Sequence, residues 1–227
     1  MLQAVIFDFD GVVADSELLH YKAMHEALKR RGVDIPKEVH WEKYLGFTDC
    51  ENAEVVNADY GMGWDAAELA AIVAEKTAIF DQLAKEETAI IEGVVEFVRR
   101  LREAGIPMAV CSGATRKDID LMLAGTELAG AFSPIVTADD VRHGKPDPEG
   151  YLLALRRLNE GRTDGLSAGG CVAVEDSHWG LQAAAAAGMR RVAVTNTYSA
   201  GHLRPHADIV VDRLDRLDIA QLERLCG

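Results

Sequence analysis

Short apolar runs alternate with amphipathic helical patterns along most of the chain. Val94, Phe97, Val98 and Leu101, for example, recur at the spacing of one helix face. The apolar runs predict six strands, in chain order Ala4–Phe9, Met108–Cys111, Pro134–Thr137, Cys171–Val174, Arg191–Thr195 and Ile209–Val211. This alternation predicts an α/β fold, a Rossmann-like parallel sheet flanked by helices on both faces.

One stretch breaks the alternation. Residues 16–85 carry apolar positions at helical spacing only, with no strand-like run between them. We therefore predict a small all-helical domain over 16–85, inserted into an α/β domain made of 1–15 and 86–227. The hinges are expected near Asp15–Glu17 and Lys85–Thr88.

Composition narrows the class of protein. The chain has 227 residues, 48% of them hydrophobic, which predicts a packed core. The formal net charge of −13 argues against nucleic acid and anionic membranes as partners. No apolar run approaches the ~18 residues of a membrane span, and the N-terminus lacks a signal-peptide pattern. Cys111 and Cys171 lie in apolar runs without CxxC spacing and are interpreted as small core residues. A cytoplasmic protein is expected.

Acidic pairs stand where two of the predicted strands end. Asp8 and Asp10 follow the first apolar run, and Glu175 and Asp176 follow the run at Cys171–Val174. Open α/β sheets bind ligands at this edge, and clustered carboxylates repel one another unless a cation joins them. A divalent ion with oxygen ligands, Mg²⁺ above all, would reconcile the two pairs. Without a cation, Asp8 and Asp10 would be solvated aspartates at the end of a strand. Glu175 and Asp176 would be acids that a helix N-terminus favours through its dipole.

Two further segments offer groups that suit a phosphate. Ser112, Gly113 and Ala114 follow the second strand, where a hydroxyl and free backbone N–H groups can hold an anion. An ordinary N-cap role for Ser112 is the alternative. Lys145 lies between Gly144 and Pro146, so its backbone is restricted and its ammonium can be aimed. A surface-loop lysine is the alternative there.

In this order the four segments resemble the motifs of the haloacid dehalogenase superfamily. The first motif is similar to Asp8–Ser16, the second to Ser112-Gly113, the third to Lys145–Pro148, and the fourth to Glu175-Asp176-Ser177 with Gly180. The resemblance covers nearly the whole chain. It points to the branch with a helical cap after the first motif, which includes β-phosphoglucomutase and many small-molecule phosphatases.

The resemblance implies a role for each of these residues. Asp8 is expected to attack phosphorus and form an aspartyl-phosphate, and Asp10 to act as general acid and then as base. Lys145 is expected to offset charge. The expected phosphate-binding residues are Ser112, Gly113, Ala114 and Lys145.

The implied Mg²⁺ ligands are the carboxylates of Asp8 and Asp176 and the backbone carbonyl of Asp10. Glu175 is expected either to bind the ion directly or to support the residues that do.

The presence of Asp10 favours phosphate ester chemistry over dehalogenation, because the dehalogenases of the superfamily lack this second aspartate of the first motif. In the mutases, the cap segment that corresponds to Gly46-Phe47-Thr48-Asp49 carries an arginine that binds the distal phosphate. This chain has Asp49 in place of that arginine. His20 and Lys76 still match positions of a mutase-like cap. We therefore expect a phosphatase of a small phosphorylated metabolite, such as a sugar phosphate. A phosphosugar mutase is the second reading, and a catalytically inactive binding member is the third.

Overall fold

The computed structural model describes residues 1–44, 47–86 and 90–227. Within them, six strands form one sheet: β1 (Ala4–Phe7), β2 (Met108–Cys111), β3 (Ile135–Val136), β4 (Cys171–Glu175), β5 (Arg190–Val194) and β6 (Ile209–Val211). All neighbouring strands are parallel and their order is β3-β2-β1-β4-β5-β6. Ile6 of β1 pairs with Ala109 on one side and Ala173 on the other. The predicted parallel α/β fold is confirmed.

Ten α-helices accompany the sheet in the described residues. They are α1 (Ser16–Lys29), α2 (Lys37–Lys43), α3 (Asp49–Tyr60), α4 (Ala66–Glu86), α5 (Val94–Glu103), α6 (Arg116–Leu123), α7 (Glu149–Leu158), α8 (His178–Ala186), α9 (Ala200–Leu203) and α10 (Ile219–Cys226).

Strand β1 ends two residues before the predicted Phe9. The amides of Val13 and Ala14 both donate to the Phe9 carbonyl, at 2.8 and 3.0 Å, which turns the chain back on itself. Gly11 sits inside this turn with φ of +72°, a conformation that favours glycine. The turn therefore replaces the end of the predicted strand.

Strand β3 is also shorter than the predicted Pro134–Thr137. Proline has no N–H to donate to a neighbouring strand. At the other end, the backbone N–H and hydroxyl of Thr137 both donate to the Asp140 carboxylate, at 3.0 and 3.1 Å. Thr137 thus caps the 3-10 turn Ala138–Asp140 instead of extending the strand.

Helices cover both faces of the sheet. On one face, alternate strand residues such as Ile6, Ala109 and Ala173 pack with Tyr151 of α7 and Ala184 of α8. Cys111 and Cys171 belong to this buried cluster, as predicted.

On the opposite face, Phe7 makes edge-to-face contacts with Phe97 of α5 and with Phe132, at centroid distances of 6.0 and 5.4 Å. Both faces of the central strands are therefore buried, which explains their continuous apolar character.

Contacts divide the chain into two units, which we call the α/β unit (Met1–Asp15 with Ala89–Gly227) and the helical unit (Ser16–Thr88). The helical unit consists of α1–α4 and has its own core, in which Leu28, Tyr44, Val56 and Ile72 are buried. The predicted hinge at Lys85–Thr88 includes residues 87 and 88, which lie outside the described residues. None of the helices in the described part of the chain combines the length and apolarity needed to cross a bilayer.

Candidate active site

The strand order gathers the predicted motifs at one edge of the sheet. Strand β1 lies between β2 and β4, so the residues that follow all three strands are neighbours. Asp8 continues the pairing of β1, with its N–H donating to the Val174 carbonyl at 2.9 Å. Ser112 follows β2, and Glu175 ends β4. This is the carboxyl edge at which open α/β sheets bind ligands.

The centre of the site is a lysine held between two carboxylates. The ammonium of Lys145 lies 2.7 Å from Asp8 Oδ1 and 2.7 Å from Glu175 Oε1. The hydroxyl of Tyr151, on α7, also donates to Glu175 Oε1 at 2.7 Å. The side chain of Glu175 is fully buried and Asp8 is 8% exposed. The surface-loop reading of Lys145 is therefore wrong.

The buried charges strongly perturb one another. Burial and the charge of Asp8 raise the pKa of Glu175 to about 7, against the opposing effects of Lys145 and Tyr151. Burial, and then the charges of Asp8 and Glu175, raise the pKa of Asp176 well above its ordinary value. Burial alone would lower the pKa of Lys145, but Asp8 and Glu175 overcome it and hold that pKa well above its usual value. The site thus has more negative charge than one lysine balances.

The donor set fits a magnesium ion. Carboxylate oxygens of Asp8, Glu175 and Asp176 all lie within 4.8 Å of one another. Oxygen donors of this kind suit a hard cation, and a cation would relieve the repulsion that raises the pKa of Asp176.

Asp10 and Ser112 are joined by a hydrogen bond. The Ser112 hydroxyl donates to Asp10 Oδ2 at 3.2 Å and accepts from the backbone N–H of Ala114 at 3.0 Å. The N-cap of α6 is Thr115, whose side chain accepts from the Asp118 N–H. The alternative reading of Ser112 as an ordinary N-cap is therefore wrong. Gly113, next to it, is exposed.

Two glycines leave room for the acids. A Cβ at Gly11 would lie 1.9 Å from Asp176 Oδ2, and a Cβ at Gly180 would lie 1.9 Å from the Glu175 carboxyl group. Both distances are far below van der Waals contact. Only a residue without a side chain fits at these positions beside the carboxylates.

Sequence reasoning missed three residues that contact the site. The Thr197 hydroxyl donates to Asp176 Oδ2, and the Asn196 side chain donates to the Gly11 carbonyl at 2.7 Å. Both come shortly after β5, so the rule that located the other motifs at strand ends could have found them. Tyr151 had no such signal, because its place in the helical pattern indicated core packing alone.

A second polar cluster lies within the helical unit. The Lys76 ammonium is 2.8 Å from Asp49 Oδ2 and 2.7 Å from Nδ1 of His20, and Lys76 is only 3% exposed. The His20 ring stacks on Phe80 at 4.3 Å between centroids. Burial, followed by the charge of Lys76, lowers the pKa of His20 to about 4, so His20 is neutral at pH 7 and accepts a hydrogen bond from Lys76.

The structure therefore brings the three predicted residues of the helical unit together and pairs the lysine with an acid. Lys76 is buried and paired with Asp49, so it is not a solvated surface lysine. Gly46, which belongs to the same predicted segment as Asp49, lies outside the described residues.

Comparison with known proteins identifies the family. Residues 5–194 match the family model described as haloacid dehalogenase-like hydrolase. The chain belongs to this family, and the resemblance found in its motifs is confirmed.

Several curated and solved relatives cover most of the chain. Protein CbbY of Rhodobacter capsulatus is 32% identical over 206 residues, which cover 88% of each chain. A phosphorylated carbohydrates phosphatase of Thermotoga maritima is 31% identical and covers 84% of each chain. A crystal structure of mutant CbbY from Rhodobacter sphaeroides, in complex with xylulose-(1,5)bisphosphate, matches with a TM-score of 0.80 at 27% identity, over 98% of this chain and 99% of that one.

The tight fit at Gly180 yields a stability prediction. We expect Gly180→Ala to lower the free energy of unfolding by about 1–3 kcal/mol, because the new methyl overlaps the Glu175 carboxyl group. Chemical denaturation monitored by circular dichroism measures the change. Gly201→Ala is the matched control, since it also lies in a helix and its Cβ would meet no atom closer than 4.0 Å. Equal stability of the two variants would contradict the tight fit.

Proposed function

We propose that this protein is a Mg²⁺-dependent phosphatase that hydrolyses a small phosphorylated sugar through an aspartyl-phosphate. The observation that carries the proposal is the buried contact of Lys145 with both Asp8 and Glu175, at 2.7 Å each. The contact holds one oxygen of Asp8 next to a positive charge at the carboxyl edge of the sheet. A carboxylate in this place is suited to covalent attack on phosphorus.

Asp8 and Asp10 divide the chemistry between them. An oxygen of Asp8 forms a bond to phosphorus as the ester P–O bond breaks, and Asp10 donates a proton to the leaving oxygen. Asp10 then takes a proton from water, which attacks the aspartyl-phosphate and releases inorganic phosphate. The hydrogen bond from Ser112 to Asp10 Oδ2, at 3.2 Å, supports this role by orienting the Asp10 carboxyl group.

Ser112 and Lys145 hold the transferring group in this proposal. Phosphoryl transfer depends mainly on position and on neutralisation of negative charge. The N–H of Gly113 follows β2 and offers a donor to a phosphoryl oxygen. The Ser112 hydroxyl, which donates to Asp10, and the Ala114 N–H, which donates to Ser112, turn to phosphoryl oxygens when the substrate binds. The Lys145 ammonium adds a fixed positive charge beside Asp8.

The carboxylates of Asp8 and Asp176, with the backbone carbonyl of Asp10, are the proposed ligands of Mg²⁺. When bound, the ion supplies positive charge that neutralises the phosphoryl oxygens. Glu175 accepts from Tyr151 and contacts Lys145 through Oε1, while its Oε2 accepts from Ser177 at 3.3 Å. Because both oxygens are engaged, we assign Glu175 the task of positioning Lys145.

The relatives support this class of reaction. The Thermotoga maritima relative is named a phosphatase of phosphorylated carbohydrates, and the CbbY structure holds a sugar bisphosphate. A phosphorylated sugar is therefore the substrate class to test first.

Removal of the nucleophile or of the metal should abolish turnover. We expect the protein to hydrolyse p-nitrophenyl phosphate with Mg²⁺, and expect EDTA or Asp8→Asn to lower kcat by at least about a thousandfold, since covalent catalysis and charge neutralisation are lost. Release of p-nitrophenol measures the rate. Asp164→Asn, at a carboxylate whose side chain is 84% exposed, is the charge-matched control and should retain full activity.

Two results would contradict this assignment. An unchanged rate for Asp8→Asn would show that another residue attacks phosphorus. Folded wild-type protein without turnover, with or without Mg²⁺, would instead support a member that only binds its ligand.

A phosphosugar mutase is the second candidate, and it is favoured by the cluster of His20 and Lys76 in the helical unit. A mutase must hold a bisphosphate by both ends. Asp49 argues against this, because its carboxylate neutralises Lys76 at 2.8 Å and would itself repel a second phosphate.

An assay with β-glucose 1-phosphate separates the two enzymes. We expect inorganic phosphate to be released from this sugar phosphate or from another in a panel, and expect no glucose 6-phosphate when a trace of glucose 1,6-bisphosphate is added. Coupled detection of glucose 6-phosphate and a phosphate assay measure both products in one sample. Glucose 6-phosphate that forms faster than inorganic phosphate would overturn the phosphatase proposal.

The charge of Asp49 should also set the preference between mono- and bisphosphates. Asp49→Asn leaves Lys76 without its carboxylate partner, and we expect the ratio of kcat/KM for xylulose 1,5-bisphosphate to kcat/KM for a sugar monophosphate to rise about tenfold. One unit charge at close range contributes about 1–4 kcal/mol near a protein surface, and about 1.4 kcal/mol is a factor of ten. Phosphate release from each substrate measures the ratio. Glu54→Gln removes an exposed charge from the same helix and should leave the ratio unchanged. An equal ratio for wild type and Asp49→Asn would contradict a role of Asp49 in specificity.

A further inference from the structure

Two neighbouring residues after β5 donate hydrogen bonds to two different segments of the α/β site. Strand β5 ends at Val194, and the turn that follows it carries Asn196 and Thr197. The ends of β5 and β4 lie side by side, since Ala193 pairs with Glu175. The turn is therefore at the carboxyl edge of the sheet, next to the carboxylates.

Thr197 binds the carboxylate of Asp176. Its hydroxyl donates to Asp176 Oδ2, and Asp176 is only 5% exposed. A Cβ at Gly11 would lie 1.9 Å from that oxygen and 2.9 Å from Thr197 Oγ1, so the backbone of Gly11 packs against this hydrogen bond. The Asp176 carboxylate is thus held between a hydrogen-bond donor and the backbone of the turn after β1.

Asn196 holds the same turn from outside. Its side-chain amide donates to the Gly11 carbonyl at 2.7 Å, and the Gly11 N–H donates to the Ala14 carbonyl at 2.8 Å. That N–H belongs to the same planar peptide unit as the Asp10 carbonyl. The hydrogen bonds on both sides of Gly11 therefore set the direction of the Asp10 carbonyl, which is a proposed ligand of Mg²⁺.

Core packing does not account for either side chain. Asn196 and Thr197 are both exposed, yet each donates to a buried residue, Gly11 and Asp176 respectively. Groups that hydrogen-bond to metal ligands fix the orientation of those ligands, and their loss typically lowers metal affinity about 10–100-fold.

We propose that Asn196 and Thr197 are positioning residues of the metal site. Thr197 fixes the Asp176 carboxylate, and Asn196 fixes the turn that directs the Asp10 carbonyl. The metal ligands are those of the proposed function, on which this role rests, but the role concerns ion binding and not turnover. It gives the site a fifth segment, after β5, besides the four sequence motifs.

Binding of Mn²⁺ to the full-length protein tests the proposal without reference to catalysis. Mn²⁺ prefers the same oxygen ligands as Mg²⁺, and the electron paramagnetic resonance signal of the free ion measures how much is bound. We expect Thr197→Val, which is nearly isosteric but lacks the hydroxyl, to raise the Kd of the Mn²⁺ that Mg²⁺ displaces by at least about tenfold. Asn196→Ala should raise it by at least about threefold, and Thr197→Ser, which retains the hydroxyl, should stay within about twofold of the wild type.

Two further variants show that the measured ion is the one at the carboxylates. Asp176→Asn removes a proposed ligand and should abolish the Mn²⁺ binding that Mg²⁺ displaces. Thr163→Val is the matched control, because Thr163 is an exposed threonine in the loop after α7, and it should leave the Kd unchanged. Far-UV circular dichroism verifies that each variant is folded.

Any of three results would refute these roles: the wild-type Kd in Thr197→Val or in Asn196→Ala, no recovery in Thr197→Ser, or Mn²⁺ binding that persists in Asp176→Asn. Failure of the proposed phosphatase reaction would look different. It would leave the shifts in Kd intact, while the wild-type protein would not hydrolyse p-nitrophenyl phosphate.

Discussion

The balance of charge around Lys145 is the constraint on which the α/β site depends. Three buried acids, Asp8, Glu175 and Asp176, come together at the end of the sheet, and one ammonium contacts two of them. Removal of charged groups from water is costly unless opposite charges and hydrogen bonds compensate. Lys145, Tyr151 and Thr197 supply part of that compensation. What remains is an excess of negative charge on oxygen ligands, the condition that a divalent cation relieves.

The same constraint explains features that look unrelated along the chain. Glycine is required at Gly11 and Gly180 because a Cβ would overlap the carboxyl groups of Asp176 and Glu175. Tyr151 lies in the apolar, buried part of α7, yet its hydroxyl donates a hydrogen bond to Glu175. The packing of α7 and α8 against the sheet therefore serves the site directly, because the helices that bury the strands also hold the acids in place.

The helical unit also buries a lysine against a carboxylate, but its charges balance. Lys76 is buried against a single carboxylate, Asp49, and a neutral His20. One positive and one negative charge cancel there, whereas the α/β site keeps an excess of acid. Under the proposed function, the excess of acid is what assigns the binding of the metal ion to the α/β unit.

The sequence alone determined the fold class, the six strands and the four motifs that carry the family resemblance. It could do so because these signals are local: strand runs, helical spacing, and residue types at strand ends. The sequence overestimated the lengths of β1 and β3. The turn at Phe9–Ala14 ends β1 early, and the capping by Thr137 ends β3 early.

Only the tertiary structure decided how the polar residues pair. It placed Thr115 rather than Ser112 at the N-cap of α6, directed Lys145 to both Asp8 and Glu175, and brought Tyr151 and Thr197 to the acids. It also joined Asp49 to Lys76. These pairings depend on strand order and helix packing between residues far apart in the chain, and no local pattern specifies which distant side chain will neutralise a buried charge.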